Sequence, residues 1–130
     1  MTKRTFVSLA LLGCLMASLS LQAHHSLAGT YDIKKTERAS GVVQKVAFTN
    51  PHGALSVEIK SAEGVAKVWI LTTGSSNVLT NAGISATGPN RLKPGDPVTV
   101  SFNPSLNGSN LGFLRSITLE GKKEVEFAPI

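Results

Sequence analysis

The chain has 130 residues, of which 13 are Lys or Arg, 8 are Asp or Glu, 3 are His and 1 is Cys, and its formal net charge is +5. This length suits one domain and excludes a TIM barrel, a two-domain dehydrogenase and a protein kinase. The 42% share of apolar residues is too high for a disordered chain. Composition therefore predicts a small globular domain and indicates no particular activity.

Residues 1–23 have the pattern of a secretory signal peptide. Lys3 and Arg4 form a positively charged start, an uncharged apolar stretch follows, and Leu21-Gln22-Ala23 places a small residue at the cleavage position. The apolar stretch is short and interrupted compared with a membrane span of ~20 residues. We therefore expect cleavage after Ala23 and a periplasmic or secreted protein without membrane attachment. A retained anchor and a lipoprotein attached at Cys14 are the alternatives.

Cleavage would change the charge and the cysteine content of the working protein. Loss of Lys3 and Arg4 lowers the formal net charge from +5 to +3, and loss of Cys14 leaves no cysteine. The mature chain would then have no disulfide and no thiol chemistry. Its charges are scattered along the sequence, which is not the pattern of a nucleic-acid-binding surface. We therefore expect no nucleic-acid partner.

Short apolar segments separated by turn residues predict an all-β fold. The alternation is clearest where Leu55, Val57 and Ile59 share one face of a strand. Strands are expected at residues 40–49, 54–60, 65–72, 97–102 and 111–119, a short helix at 75–83, and an irregular polar tail at 120–130. A helix between the third and fourth of five strands is the order of the OB-fold, a small Greek-key barrel. We therefore predict one five-stranded OB-like barrel domain over residues 24–130 with loose ends; another small β-barrel or sandwich is the alternative.

The three histidines fall in two short motifs. His24 and His25 would stand at the start of the mature chain, and His52 lies in Asn50-Pro51-His52-Gly53 between the first two strands. An N-terminal histidine offers its α-amine and a ring nitrogen as a chelating pair, and a further imidazole completes the three-nitrogen site called a histidine brace. Because planar nitrogen ligands suit Cu(II), we expect a copper site at His24 and His52, with His25 as an alternative or fourth ligand. Zn(II) with three nitrogens and a water is a further alternative.

These histidines also have an interpretation without a metal. Two histidines after a leader can form a polar tail, and a polar residue in a turn often bonds the loop backbone. The chain would then be a metal-free binding or interaction module for an envelope protein or a ligand. The sequence contains no serine elbow and no phosphate loop, so no catalytic residue is predicted and a non-enzymatic role is favoured. Trp69 is expected in the core or at the rim of the barrel rather than on a stacking surface.

A series of motifs runs through most of the predicted mature chain. They are Ala23-His24-His25-Ser26, Tyr31-Asp32, Gly41-Val42-Val43, Asn50-Pro51-His52, Trp69, Leu92-Lys93-Pro94-Gly95-Asp96 with Val98 and Val100, and Gly108-Ser109. Together they resemble DUF6152, a family of small exported bacterial proteins of unknown function. Phe48 stands where its members commonly have Trp before Asn-Pro-His, and Ile84 stands where many have Trp after a glycine. The resemblance implies export and a small soluble domain, and it implies no activity.

Overall fold

The computed structural model describes residues 27–49, 52–88 and 90–127. These residues form a helical turn at 27–30 followed by strands and one short helix. The elements are β1 (Glu37–Ala47), β2 (Ala54–Lys60), β3 (Ala66–Thr72), α1 (Ser76–Asn81), β4 (Pro97–Pro104), β5 (Leu111–Leu119) and β6 (Val125–Glu126). Within the described ranges, no helix has both the length and the apolar character needed to cross a membrane.

Strands β1 to β5 close into a barrel. β2 pairs antiparallel with β1 and β3, and β4 pairs antiparallel with β1 and β5. A short parallel pairing closes the ring, with residues 70–72 of β3 beside residues 111–113 of β5. This order, with α1 between β3 and β4, is that of the OB-fold. The predicted all-β class and the five-stranded OB-like barrel are therefore confirmed.

β1 is long enough to pair with two neighbours. Its first half pairs with β4 and its second half with β2, and the register shifts between Val43 and Lys45. A bulge of this kind bends a strand and increases its twist, so β1 can turn around the barrel. At Gly41, β1 and β2 come so close that a Cβ would lie 2.4 Å from the carbonyl oxygen of Glu58. A glycine is therefore required at this position of β1.

The barrel core consists of alternating strand side chains. Leu55 and Val57 of β2 are buried as the sequence pattern predicts. Leu79 of α1 joins the same core, together with Ile84 and Leu92 from the segment that follows the helix. Burial of one such side chain stabilises a fold by ~1.5–3 kcal/mol. These contacts hold α1 against the barrel although its sequence has weak helix formers.

The strand boundaries differ from the prediction at both ends of the described chain. β1 begins at Glu37, because its polar first residues pair with β4. The expectation of an irregular tail from residue 120 is wrong for residues 125–127. Val125 and Glu126 form β6 beside β5, and Phe127 is buried in the core. β6 pairs with the half of β5 that β3 leaves open. The predicted leader, residues 1–23, lies outside the described residues.

Candidate functional site

His52 is exposed in the turn that joins β1 to β2. The hydroxyl of Thr49 donates a hydrogen bond of 2.8 Å to the carbonyl oxygen of His52. This bond spans the turn and fixes the backbone on both sides of Asn50 and Pro51, which lie outside the described residues. The turn therefore presents His52 to solvent from a backbone that is anchored before it reaches β2.

The imidazole of His52 makes a hydrogen bond to the end of β3. Its Nδ1 atom lies 3.0 Å from the carbonyl oxygen of Gly74. A carbonyl oxygen only accepts, so Nδ1 must carry the hydrogen. In the neutral ring, Nε2 then keeps its lone pair. Metal-ligating histidines commonly donate their second ring N–H to a carbonyl or carboxylate in this way, which fixes the tautomer and the ring orientation.

Gly53 holds the turn tightly against β3. Its carbonyl oxygen accepts a 2.9 Å hydrogen bond from the backbone N–H of Thr73. A Cβ at this position would lie 2.6 Å from Oγ1 of Thr73 and 3.2 Å from the carbonyl oxygen of Ala47. Any larger residue would push the turn outward and lengthen the contact between His52 and Gly74. A glycine directly after His52 therefore helps to hold the imidazole next to Gly74.

Thr73 places a polar atom in the apolar surroundings beneath the turn. The residue is 2% exposed. Its Oγ1 atom is buried and has no hydrogen-bond partner in the described part of the chain. A buried hydroxyl without a partner costs ~1–3 kcal/mol. This hydroxyl therefore lowers the stability of the fold at the place where Gly53 packs on Thr73.

The chain before β1 is attached to the same end of β3. The hydroxyl of Tyr31 lies 2.7 Å from Oγ1 of Thr72, and its ring centroid lies 5.7 Å from that of Phe113. The Tyr31 N–H donates to the carbonyl oxygen of Leu27 at 2.8 Å, which closes the helical turn. Thr72 is two residues before Gly74, the acceptor of the His52 bond. Tyr31 and His52 are thus anchored within residues 72–74, at and just after the end of β3.

The predicted ligands His24 and His25 lie outside the described residues. Residues 27–49, 52–88 and 90–127 contain no group of three or more His, Cys, Asp and Glu side chains that could hold a metal. His52 is therefore the member of the predicted set whose geometry the structure gives. Leu27 is three residues after His24, and three residues span at most ~11 Å when extended.

Sequence reasoning missed the partners that position His52. A backbone carbonyl such as that of Gly74 carries no residue-type signal, and its contact with His52 spans 22 residues. Tyr31 belongs to one of the sequence motifs, which indicates no role for it, and the structure shows it bonded to Thr72. Trp69 is half-buried and its ring centroid lies 4.9 Å from that of Phe102, which agrees with a position in the core or at the rim.

Fold and site together define a small closed β-barrel with one histidine fixed at its surface. The sequence model of DUF6152, a family of unknown function, matches residues 12–120. The chain belongs to this family. The match begins inside the predicted leader and ends before β6. No curated protein and no solved structure matches the chain.

Proposed function

We propose that the chain is exported, cleaved after Ala23, and binds one Cu(II) ion in its mature form. The α-amine and imidazole of His24 supply two nitrogens, and Nε2 of His52 supplies the third. His25 serves as a fourth ligand or replaces one of the others. The role is carriage, storage or sensing of copper rather than catalysis. No nucleic acid takes part, and the mature protein is not attached to a membrane.

The hydrogen bond from His52 to Gly74 is the observation that carries this proposal. It occupies Nδ1 and leaves Nε2 with its lone pair on an exposed side chain. A metal ligand needs such a lone pair, and a fixed ring loses less conformational freedom when it binds.

The anchoring of Tyr31 also supports a shared site. Tyr31 bonds Thr72, two residues before Gly74. The segment before β1 is therefore attached two residues along the chain from the acceptor of the His52 bond. Three residues span at most ~11 Å, so the proposal requires the start of the helical turn to lie within that span, plus the reach of a histidine side chain, of His52.

The donor set favours copper over the other common divalent metals. One amine and two or three imidazoles are nitrogen ligands of intermediate softness, and Cu(II) has the highest affinity for such sites in the divalent series. The nitrogens must be deprotonated before they bind, so affinity should fall as the solution becomes acidic. Zn(II) would need a tetrahedral arrangement completed by water, which makes it the competitor to compare.

A Cu(II) titration of the exported protein tests the proposal. Its N-terminus is first established by intact mass, and His52→Ala is titrated beside the wild type. Asn77→Ala, at an exposed position on α1, is the matched control. We expect one ion per chain, bound at least about tenfold more weakly after loss of one imidazole ligand, and unchanged binding in the control. Zn(II) is titrated in parallel and should bind more weakly.

A second variant examines the N-terminal amine. A Gly-Ser-Gly-Ser extension before His24 keeps every side chain and moves the amine away from the first histidine. It also leaves no histidine at the second or third position, where the amine, backbone amides and an imidazole would chelate Cu(II) by themselves. We expect this extension to weaken Cu(II) binding as much as His52→Ala does. Binding that is indifferent to both changes would contradict the proposal and would favour the metal-free interaction module for an envelope protein or ligand.

A further inference from the structure

A cleft lies beside the first half of β3, before its pairing with β5 begins. The two strands pair in parallel over residues 70–72 and 111–113, so the first half of β3 extends past the start of β5 at Leu111. The loop between β4 and β5 and the segment before β1, which are hydrogen-bonded to each other between Asp32 and Pro104, also line the cleft. The cleft has a volume of about 340 Å³, at the lower end of the range of small-molecule sites, ~300–1,000 Å³. That volume suits one small ring-shaped ligand.

Trp69 forms a rigid apolar wall of this cleft. Its indole is half-buried and packs on Phe102 with a centroid distance of 4.9 Å and an interplanar angle of 47°. Phe102 is held in turn by Gly112, where a Cβ would lie 2.6 Å from the Phe102 ring. Pro104 and Leu106 add apolar surface at the rim, and the Leu106 side chain is exposed.

The loop between β4 and β5 supplies hydroxyl groups that are held in place by hydrogen bonds to one another. Oγ of Ser109 donates to Oγ of Ser105 at 3.2 Å, and Ser105 donates in turn to Oδ1 of Asn107. The backbone N–H of Ser109 donates to the same Asn107 oxygen at 3.0 Å. Ser105 and Ser109 both line the cleft. In these bonds the Ser109 hydroxyl accepts from no protein donor. It can therefore accept a hydrogen bond from a ligand.

The segment before β1 adds charged groups of both signs. Asp32, Lys35 and Glu37 line the cleft. Nζ of Lys35 lies 2.6 Å from Glu37, so this carboxylate is neutralised. Oδ1 of Asp32 accepts from the backbone N–H of Lys34 at 3.1 Å, which leaves its second oxygen for a ligand donor. Two carboxylates and one ammonium give a local charge of −1, which opposes phosphates, nucleic acids and acidic sugars.

We infer that this cleft binds a neutral pyranose ring of a saccharide. The apolar face of the ring would lie on the indole of Trp69, because aromatic faces attract polarised C–H groups. Its hydroxyls would donate to Asp32 and exchange hydrogen bonds with the Ser109 hydroxyl. A flat apolar wall beside a few fixed polar groups matches the two kinds of surface that a sugar presents.

This inference is independent of the proposed copper site. Trp69 and Gly74 are five residues apart, a distance of ~16 Å along an extended chain. His52 takes no part in the cleft. Either site can therefore exist without the other, and the experiments separate them.

Trp69 is the only tryptophan of the chain, so its fluorescence reports on the cleft directly. The exported protein with its mature N-terminus is titrated with methyl β-glucopyranoside and with N-acetylglucosamine. We expect a saturable change in emission in the millimolar range for at least one of them, and a weaker response to glucuronate because of its charge. Absence of a saturable change with both neutral sugars would overturn the inference.

Variants test which surface binds the sugar. Their binding is measured by saturation-transfer NMR, which observes the sugar and does not rely on tryptophan emission. Asp32→Asn should weaken binding about tenfold, the loss expected for a hydrogen bond to a charged acceptor. Ser109→Ala should weaken binding by a smaller factor, and Trp69→Phe should reduce it through loss of stacking area. Lys122→Ala, a change outside the cleft, should leave sugar binding unchanged. Equal binding by Asp32→Asn and the wild type would contradict the site, as would saturable binding of tetramethylammonium but of neither sugar.

Discussion

Nδ1 of His52 and the carbonyl oxygen of Gly74 lie 3.0 Å apart and join the turn before β2 to the segment after β3 across 22 residues of sequence. This contact orients the imidazole without using its second nitrogen. Its acceptor lies two residues after Thr72, the last residue of β3, which anchors Tyr31. The barrel thus provides a fixed base for a ligand that the N-terminal segment can approach.

Replacement of Gly53 should disturb this arrangement first. In Gly53→Ala the new methyl would lie 2.6 Å from Oγ1 of Thr73, so the turn must move. We expect a loss of about 1–3 kcal/mol in the free energy of unfolding, typical of overpacking. Urea denaturation measures it, with Gly29→Ala as control because a Cβ there meets nothing within 4 Å. Equal midpoints for the two variants would show that the turn does not depend on Gly53.

Thr73→Val should make the protein more stable. The hydroxyl of Thr73 is buried without a partner among the described residues, and a methyl of similar size removes its desolvation cost. We expect a gain of about 1 kcal/mol. Thr72→Val is the matched contrast, since Thr72 bonds the Tyr31 hydroxyl at 2.7 Å and its loss should destabilise by about 1 kcal/mol. A loss of stability in Thr73→Val would reveal a hydrogen bond to Thr73 and contradict this account.

Elements with local patterns could be predicted from the sequence. β2 and β5 have the predicted bounds, because strict alternation or a dense apolar run ends at polar turn residues. The start of β1 could not be predicted in this way. Glu37 and Arg38 are residues typical of a surface loop, and they become part of a strand only through pairing with β4. β6 was missed for the same reason, since its two residues pair with β5 without any pattern of their own.

The candidate site could be predicted only in part. His52 stands out by residue type and by its place in a turn. The partner that orients it is a backbone carbonyl, which any residue could supply, and Gly53 is required because of a contact with Thr73 that only the closed barrel creates. Side-chain chemistry can therefore be found in a sequence, whereas positioning by backbone atoms depends on the fold.

β6 should contribute more to stability than its length indicates. Phe127 follows it and is 8% exposed in the core, and its N–H donates to the carbonyl oxygen of Arg115 at 2.9 Å. Phe127→Ala should therefore cost about 3 kcal/mol, at the lower end for a buried Phe. Thermal or urea unfolding measures the loss, with exposed Glu126→Ala as control. A change below about 0.5 kcal/mol, usual for surface sites, would mean that Phe127 and the attachment of β6 do not stabilise the barrel.

The attachment of β6 should also depend on pH through Glu124. The Ser116 hydroxyl and then the Arg38 guanidinium donate to its carboxylate and lower its pKa below the ordinary 4.5. A lowered pKa stabilises the fold above pH 4.5, and this contribution is lost as the pH falls through the folded-state pKa. Wild type should therefore be more stable than Glu124→Gln at neutral pH, and the difference should shrink in acid. A constant difference would contradict the assignment.

Pulsed electron paramagnetic resonance of the one-to-one Cu(II) complex tests the central claim most directly. The method detects each copper-bound imidazole through its remote ring nitrogen, which for His52 is the Nδ1 atom held by Gly74. We predict that the mature wild-type protein shows His52 among at least two bound imidazoles, and that His52→Ala shows one fewer. Identical spectra for the two proteins would show that His52 does not bind the ion, and the proposed copper site would be wrong.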